Sequence, residues 1–440
     1  MLRLREYEMF VLQNVACNGS QVIGGGNESV AVDSGDTEGT AETIGDPETG
    51  SDTDTGEPPD DGEDEAYAAF YDMSVIQQVV IEVSRQTMND MDVEAYYAYT
   101  ANPSVPELTY WDANVVIGGE RYDHVGLRLK GSSTFQYWDG KPSLKVKFNE
   151  YDDTVRFAGL KRATFNNMTG DPAMAREVIG YKFWRDAGMA VPQANFCQLY
   201  VAIDGEEPEY FGLYTNLEAM DSEWIERNYE DDAGDLWEGN DYADFSSDGI
   251  GNFELVVGPG NTDALDAARR KVQNHGDDFY SDVNDVLDMD QFLDFWAFSV
   301  AIGNRDGYPF NQNDFFIYHN PADGRFAFSP WGMDESWDDY TQEYWYYVNG
   351  AVAQYCLYYD ATCPERYYDA QAQALDLYEA YDVPALTQAM FDLTAQAMAD
   401  DPRKNWGGYS MTTRDVSYYR DNLLYKVEIY PGMLRAAIGI

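Results

Sequence analysis

The sequence predicts an α+β protein with a sheet-rich first part and a mainly helical second part. Three observations carry this. Between residues 73 and 217, short runs alternate apolar and polar side chains with a period of two, the mark of half-buried strands. Beyond residue 222, apolar residues recur at helical spacing. Strands first and helices later is the α+β order, and it suits a small sheet-rich lobe (73–217) followed by a larger helical lobe (222–440). With 44% hydrophobic and 15% aromatic residues in 440, the chain can bury a core of that size.

Taken in order, Gln78 to Val83 reads as a strand and Asn89 to Tyr99 as a short helix. Leu108–Val116 and Tyr122–Lys130 read as a hairpin joined at Gly118-Gly119. Ser143 to Phe148 alternates cleanly, placing Leu144, Val146 and Phe148 on one face and Ser143, Lys145 and Lys147 on the other. A helix follows, with Asp171 as N-cap, Pro172 in the first turn and Gly188 as its stop. Met174, Val178 and Tyr181 form its apolar stripe, with Glu177 beside them. Strands around Cys197–Ile203 and Tyr210–Leu217 come next, linked by an acidic turn. Phe292, Phe295, Trp296 and Ser299 mark an amphipathic helix, and residues 365–398 and 414–437 read as helical.

Residues 18–72 read as a linker. Up to residue 66 it is Gly, Ser, Thr, Asp and Glu with almost no large apolar side chain, too little to offset ordering entropy. Residues 1–17 end in Val15-Ala16-Cys17, which reads as a clipped lipoprotein signal, so export with a lipid anchor at Cys17 is expected, and no other membrane contact. The formal charge is 28 − 79 = −51. Such a field disfavours nucleic acid and anionic membranes and favours basic partners or cations. Cys356 and Cys363 flank a short loop and are candidates for a disulfide, whereas Cys197, in an apolar run, reads as a buried thiol. Three scattered histidines (His124, His275, His319) argue against a His-rich zinc site or a Ser-His-Asp hydrolase.

The chemistry concentrates in Gly303–Asn313 and Ser329–Asp334. Asp306, Asn311 five residues later, and Asp334 after a strand-like run follow the order in which protein kinases place their catalytic Asp and their metal-holding Asn and Asp. Asn304 stands where such loops carry His, and Asn313 rivals Asn311. A kinase also needs a cation from the sheet to hold phosphate and a helix carboxylate to orient it. Lys145 and Lys147 share a strand face, and Glu177 is the natural partner. Arg128-Leu129-Lys130-Gly131-Ser132-Ser133 is a phosphate-friendly turn without a Gly-x-Gly-x-x-Gly loop. Gly249-Ile250-Gly251 reads as a plain turn.

The segment NRDGYPFNQNDFFIYHNPADGRFAFSPWGMDESW resembles the signature of the CotH family of secreted protein-kinase-like proteins. VGLRLKGSSTFQYWDGKPSLKVKFNEYD, LKRATFNNMTGDPAMAREVIGYKFWRDAGMAVPQ and EYFGLYTNLEAMD resemble its upstream blocks in order, over roughly residues 75–345. The resemblance implies a protein-kinase-like two-lobe fold, ATP with Mg²⁺ or Mn²⁺, and transfer of the γ-phosphoryl to Ser or Thr of an envelope or extracellular protein by a monomer. It implies Asp306 as catalytic base, Asp334 with Asn311 or Asn313 on the metal, Arg128, Lys130 and Lys145 or Lys147 near the phosphates, and Glu218 at the lobe junction near the ribose. Many relatives carry Asp-x-Asp where this chain has Gly332-Met333-Asp334, so one carboxylate is missing. A surface-binding protein with degraded catalysis is the alternative that this departure raises, and a divalent-cation-binding wall protein is a third.

Overall fold

The computed structural model describes residues 61–101, 108–338 and 348–439, all within one compact unit, residues 47–440. The expected lipoprotein segment 1–17, and the linker up to residue 60, lie outside the described residues.

The helices are α1 (Asp61–Phe70), α2 (Arg85–Ala101), α3 (Arg176–Asp186), α4 (Ser222–Asn228), α5 (Thr262–Gln273), α6 (Phe279–Val283), α7 (Met289–Ala301), α8 (Tyr308–Asn311), α9 (Ala351–Tyr359), α10 (Cys363–Ala380), α11 (Val383–Asp400) and α12 (Thr413–Ile438). The strands are β1 (Gln77–Val83), β2 (Trp111–Ile117), β3 (Glu120–Lys130), β4 (Ser143–Lys147), β5 (Arg162–Asn166), β6 (Ala194–Ile203), β7 (Glu209–Leu217), β8 (Asp235–Gly239), β9 (Phe253–Val257), β10 (Phe315–Asn320), β11 (Arg325–Pro330), β12 (Asn405–Trp406) and β13 (Tyr409–Ser410).

The α+β class holds, but the strands are not confined to the first part. Strands β1 to β7 close into a barrel in the order β1-β2-β3-β4-β5-β7-β6, sealed by a parallel β1–β6 seam from Gln77 opposite Cys197 to Val83 opposite Ile203. A second, four-stranded sheet, β11-β10-β8-β9, lies in the part expected to be helical. Its strands are five or six residues long, too short for a clear alternation. The pattern reading also missed β5, where only five residues alternate.

Period-two alternation builds the barrel. Leu127, Leu129, Leu144, Val146, Ala163 and Phe165 are buried inside it. A second core centres on α7, where Phe292 and Phe295 pack on Phe328, and Trp296 stacks on Tyr367 with ring centroids 3.6 Å apart. The disulfide Cys356–Cys363 ties α9 to α10, and Cys197 is a buried free thiol. The helical reading over 365–398 is two helices, broken at Tyr381-Asp382, where Asp382 takes φ +47 and caps α11 through Ala385 N–H. Among the described residues no helix is long and apolar enough to cross a membrane.

Helix α1 corrects the linker boundary at residue 72. Phe70 and Tyr71 are buried, and Phe70 packs edge-on against Phe157 at 4.8 Å. Asn195 donates to Phe70 O (2.9 Å) and Asp72 O (3.0 Å). A run rich in Asp, Glu and Ala hides these anchors, because only its last residues carry aromatic side chains. A chain starting at residue 61 should therefore be more stable than one starting at 73. Losing two buried aromatics, at roughly 1.5–3 kcal/mol each, predicts a melting temperature lower by ~5–10 °C for the shorter chain. Equal melting curves by calorimetry would show that α1 contributes nothing.

Candidate functional site

The outer face of β3–β5 carries the site's cations. Strand register sets Arg128 opposite Lys145 and Lys130 opposite Ser143. It also sets Lys145 opposite Thr164 and Lys147 opposite Arg162. Because their neighbours in sequence point into the barrel, these side chains must point out. The result is a cationic strip with Thr164 and Asn166 on its far side.

The members of this strip differ sharply. Lys147 pairs with Glu150 at 3.0 Å and lies over the Tyr110 ring, which takes it away from the site. Arg128 also lies over Tyr110, with Nη1 donating to Leu108 O at 3.3 Å. Arg162 is paired with Asp221 at 3.3 Å. Lys130 is the cation that meets the α3 carboxylate, through an amide bridge: its Nζ donates to Asn166 Oδ1 (2.6 Å), and Asn166 Nδ2 donates to Glu177 Oε1 (2.8 Å). Neither Lys145 nor Lys147, the lysines that pattern reading matched to Glu177, makes this link. Lys130 also lies 6.0 Å above the Trp331 ring, where the strip reaches the end of β11.

Lys145 has no hydrogen-bond or ion-pair partner among the described residues. Burial first, then the charges of Arg128, Lys130 and Arg162, push its ammonium down to about 7, with Glu238 of β8 opposing the shift. Thr164 Oγ1, opposite it, is buried with no hydrogen-bond partner. Glu177 is buried and its carboxyl is raised by desolvation, against the field of Lys130 and hydrogen bonds from Asn166 and Thr215. Glu238 is raised for the same first reason, opposed by Lys145.

The facing segments bring carboxylates. Asp306 accepts hydrogen bonds from Asn311 Nδ2 and from Asn313 Nδ2 (3.3 Å), so both amides orient it while their own oxygens keep no partner among the described residues. Asp334 sits against Gly170, where an added Cβ would fall 1.9 Å from its Oδ2. Burial, then Glu177, Glu335 and Asp171, push the Asp334 carboxyl up to about 7. Asp314 is raised well above the usual carboxylate range by burial and then by Asp306, Asp334, Glu238 and Glu335. The helix that presents Glu177 starts at Arg176, four residues later than capping signals suggested. Asp171 still satisfies its entry, accepting from Ala175 N (2.6 Å) and Arg176 N (2.7 Å).

Glu218 is not free for a ligand. It is buried, and its oxygens accept from Tyr67 Oη (2.8 Å), Gln193 N (2.9 Å) and Arg227 Nε (3.0 Å). This corrects its expected place at a ribose: it fastens α1 and α4 to the end of β7. Sequence reasoning missed Glu238, Asn166, Thr164 and Asp314. The first three are ordinary strand residues until the sheet order is known, and the fourth is a polar residue at a strand entry, where turn formers are common.

Lys145 gives a prediction with a definite sign. Its folded-state pKa lies below its unfolded value, so its full stability is present above about pH 10.5 and is lost as pH falls towards about 7. Lys145→Met should remove that loss. Without nucleotide, the variant should melt several degrees above the parent at about pH 6 and equal to it at about pH 10. Equal melting at both pH values would mean that the ammonium is well solvated.

A family model described as CotH kinase protein matches residues 127–384. The chain is also similar to the inner spore coat protein H of Bacillus subtilis (strain 168), 23% identical over 273 residues, covering 57% of this chain and 70% of that protein. The family match takes in the outer-face lysines, Glu177, the Asp306 loop and Asp334, and it spans more than half of the sequence: the chain belongs to the CotH family.

Proposed function

We propose that this protein is an exported, ATP-dependent protein kinase that transfers the γ-phosphoryl group to Ser or Thr of an envelope or extracellular protein. One observation carries the reading: unpaired Lys145 and bridged Lys130 on the barrel's outer face are opposed by Asp306, Asp314 and Asp334. The barrel would act as the smaller lobe of a kinase-like pair and the helical part, with its sheet, as the larger. Membership of a family described as kinase supports the reaction class, and the spore-coat relative supports a surface location.

The residues fit the donor. Lys145 Nζ without a partner and orphaned Thr164 Oγ1 suit phosphate oxygens, and the unpaired carboxylate of Asp334 suits a hard cation. ATP with Mg²⁺ or Mn²⁺ would supply the phosphoryl group and part of its charge neutralisation. Lys130 and Lys145 would hold phosphate oxygens, and Glu177, through Asn166, would hold Lys130 in place. Asp334, with the free amide oxygen of Asn311 or Asn313, would hold the cation. Asp306, oriented by both amides, would align the acceptor hydroxyl and take its proton.

Asp306→Ala should abolish transfer from γ-labelled ATP to an envelope extract in Mn²⁺ or Mg²⁺. A half-exposed loop carboxylate contributes little to packing, so the melting temperature should stay within about 2 °C. Near-parental turnover in the folded variant would refute Asp306 as the base. Nucleotide-dependent stabilisation of the parent without any transfer would favour a binding protein on the same fold.

A further inference from the structure

Asp314 fills the space that a side chain at position 332 would need. Strands β10 and β11 pair with Phe315 opposite Pro330, so Asp314 falls opposite Trp331 and beside Gly332. Trp331 N–H donates to Asp314 O at 3.0 Å and fixes that register beyond the last strand pair. Gly332 has φ +54, and a Cβ there would stand 2.1 Å from Asp314 Oδ2 and 2.7 Å from its Cγ. The space admits either a side chain at 332 or the carboxylate of 314, not both. Asp314 occupies it from a left-handed backbone, φ +49, a conformation that Asp tolerates better than most residues and that still costs energy.

No close partner among the described residues answers this charge. Among the described residues the Asp314 carboxylate accepts no hydrogen bond and has no ion-pair partner within 4 Å. The largest charges acting on it are those of Asp306, Asp334, Glu238 and Glu335, and Lys130 is a cation that feels its field. A separate observation points the same way. Tyr181 is fully buried; its hydroxyl oxygen faces the Gly332 backbone N–H, near Glu177, Asp314 and Asp334, and its proton meets no acceptor among the described residues. Half-buried carboxylates and a fully buried hydroxyl whose proton has no acceptor lack a cation and the oxygens it would bring. Among the described residues no three His, Cys, Asp or Glu side chains converge closely enough to hold a metal alone. A small hard cation bound by one or two carboxylates that takes its remaining oxygens from phosphate and water does not require three.

We propose that Asp314, together with Asp334, is a protein ligand of the divalent cation that accompanies the nucleotide, and that it supplies from β10 the carboxylate that the Gly332-Met333-Asp334 run lacks. The proposal rests on the nucleotide-binding reading above. It makes Gly332 a space-giving residue and not a lost function.

Binding of Mn²⁺ with a non-hydrolysable ATP analogue, followed by the paramagnetic resonance signal of free Mn²⁺, tests it without turnover. Asp314→Asn should weaken Mn²⁺ retention in the nucleotide complex by roughly tenfold or more, as loss of a metal ligand does. The exchange variant Asp314→Gly with Gly332→Asp should recover most of the affinity, whereas Asp314→Gly alone should not. A merely structural Asp314 would show no such rescue, and the exchange variant decides the matter if Asp314→Asn fails to fold. Equal Mn²⁺ affinity of parent and Asp314→Asn, or an exchange variant that folds without recovering binding, overturns the proposal and leaves the nucleotide reading standing. A parent protein that holds no Mn²⁺–nucleotide at all overturns the nucleotide reading itself, and this assignment with it.

Discussion

The two-residue period of β3, β4 and β5 is the constraint on which the site depends. Each strand gives alternate residues to the barrel core, and each buried Leu, Val or Phe contributes roughly 1.5–3 kcal/mol to folding. A one-residue slip would turn every one of them outward. The register is therefore fixed by the core, and with it the outward position of Arg128, Lys130, Lys145, Lys147 and Arg162. The core thus sets cations side by side on a face that other elements cover, at a cost that the low ammonium pKa of Lys145 records. The opposing carboxylates are not matched to them pair by pair, because Asp314 and Asp334 also shift towards their neutral forms. A surface of this kind is poorly satisfied without a ligand that brings both negative oxygens and a cation.

The site's geometry also depends on how the barrel is fastened to the helices. Lys141 Nζ donates to Asp401 Oδ2 and to Leu213 O, each at 2.8 Å, and both charged side chains are almost wholly buried. Asp401 also accepts from Leu213 N at 2.9 Å and ends α11. Glycine at 212 is required there, since a Cβ would meet Lys141 Cε at 2.9 Å and both Asp401 oxygens at 3.0 Å. Breaking one partner of such a pair would strand the other charge in a dry place, typically at 3–5 kcal/mol. The same logic holds at Glu218 and Asp171, whose oxygens are consumed by backbone and side-chain donors. These acids hold the chain in place. Sequence alone does not separate them from acids that could bind a ligand, because the difference lies in whether their lone pairs are already used.

What the sequence made legible follows from this. The clean alternation of Ser143–Phe148 revealed β4, strand-like apolar runs bounded by turn residues revealed β1, β2, β3, β6 and β7, and the helical stripe of Phe292, Phe295 and Trp296 revealed α7. β5 and the β8–β11 sheet stayed hidden because runs of five or six residues are too short to show a period. The order Asp306, Asn311, Asp334 was legible because a loop keeps its residues local. Cross-sheet partners were not. That Lys130 and not Lys145 reaches Glu177 depends on Asn166, a residue of the missed strand. That Asp314 adjoins Gly332 depends on a hairpin register that only β10 and β11 define.

An overall charge of −51 opposes a polyanionic nucleotide at long range, but distance decides how much that would matter at the site. Beyond about 8 Å in physiological salt, exposed charges are largely screened. Half-buried cations a few ångströms from a phosphate are not, since the surrounding dielectric is low. Lys130 and Lys145 would therefore outweigh a distant acidic surface for a phosphate at close range, while that surface would still act on diffusing macromolecules and favour basic ones. The division has a further consequence for the metal. Each nearby carboxylate that draws a cation in also repels phosphate, so adding carboxylates without limit would defeat binding. Two protein carboxylates, with the cation's remaining oxygens drawn from an Asn amide, phosphate and water, would balance those demands. With one of them at 314, a second at 332 would add nothing, and the Asp314 carboxylate leaves no room for one.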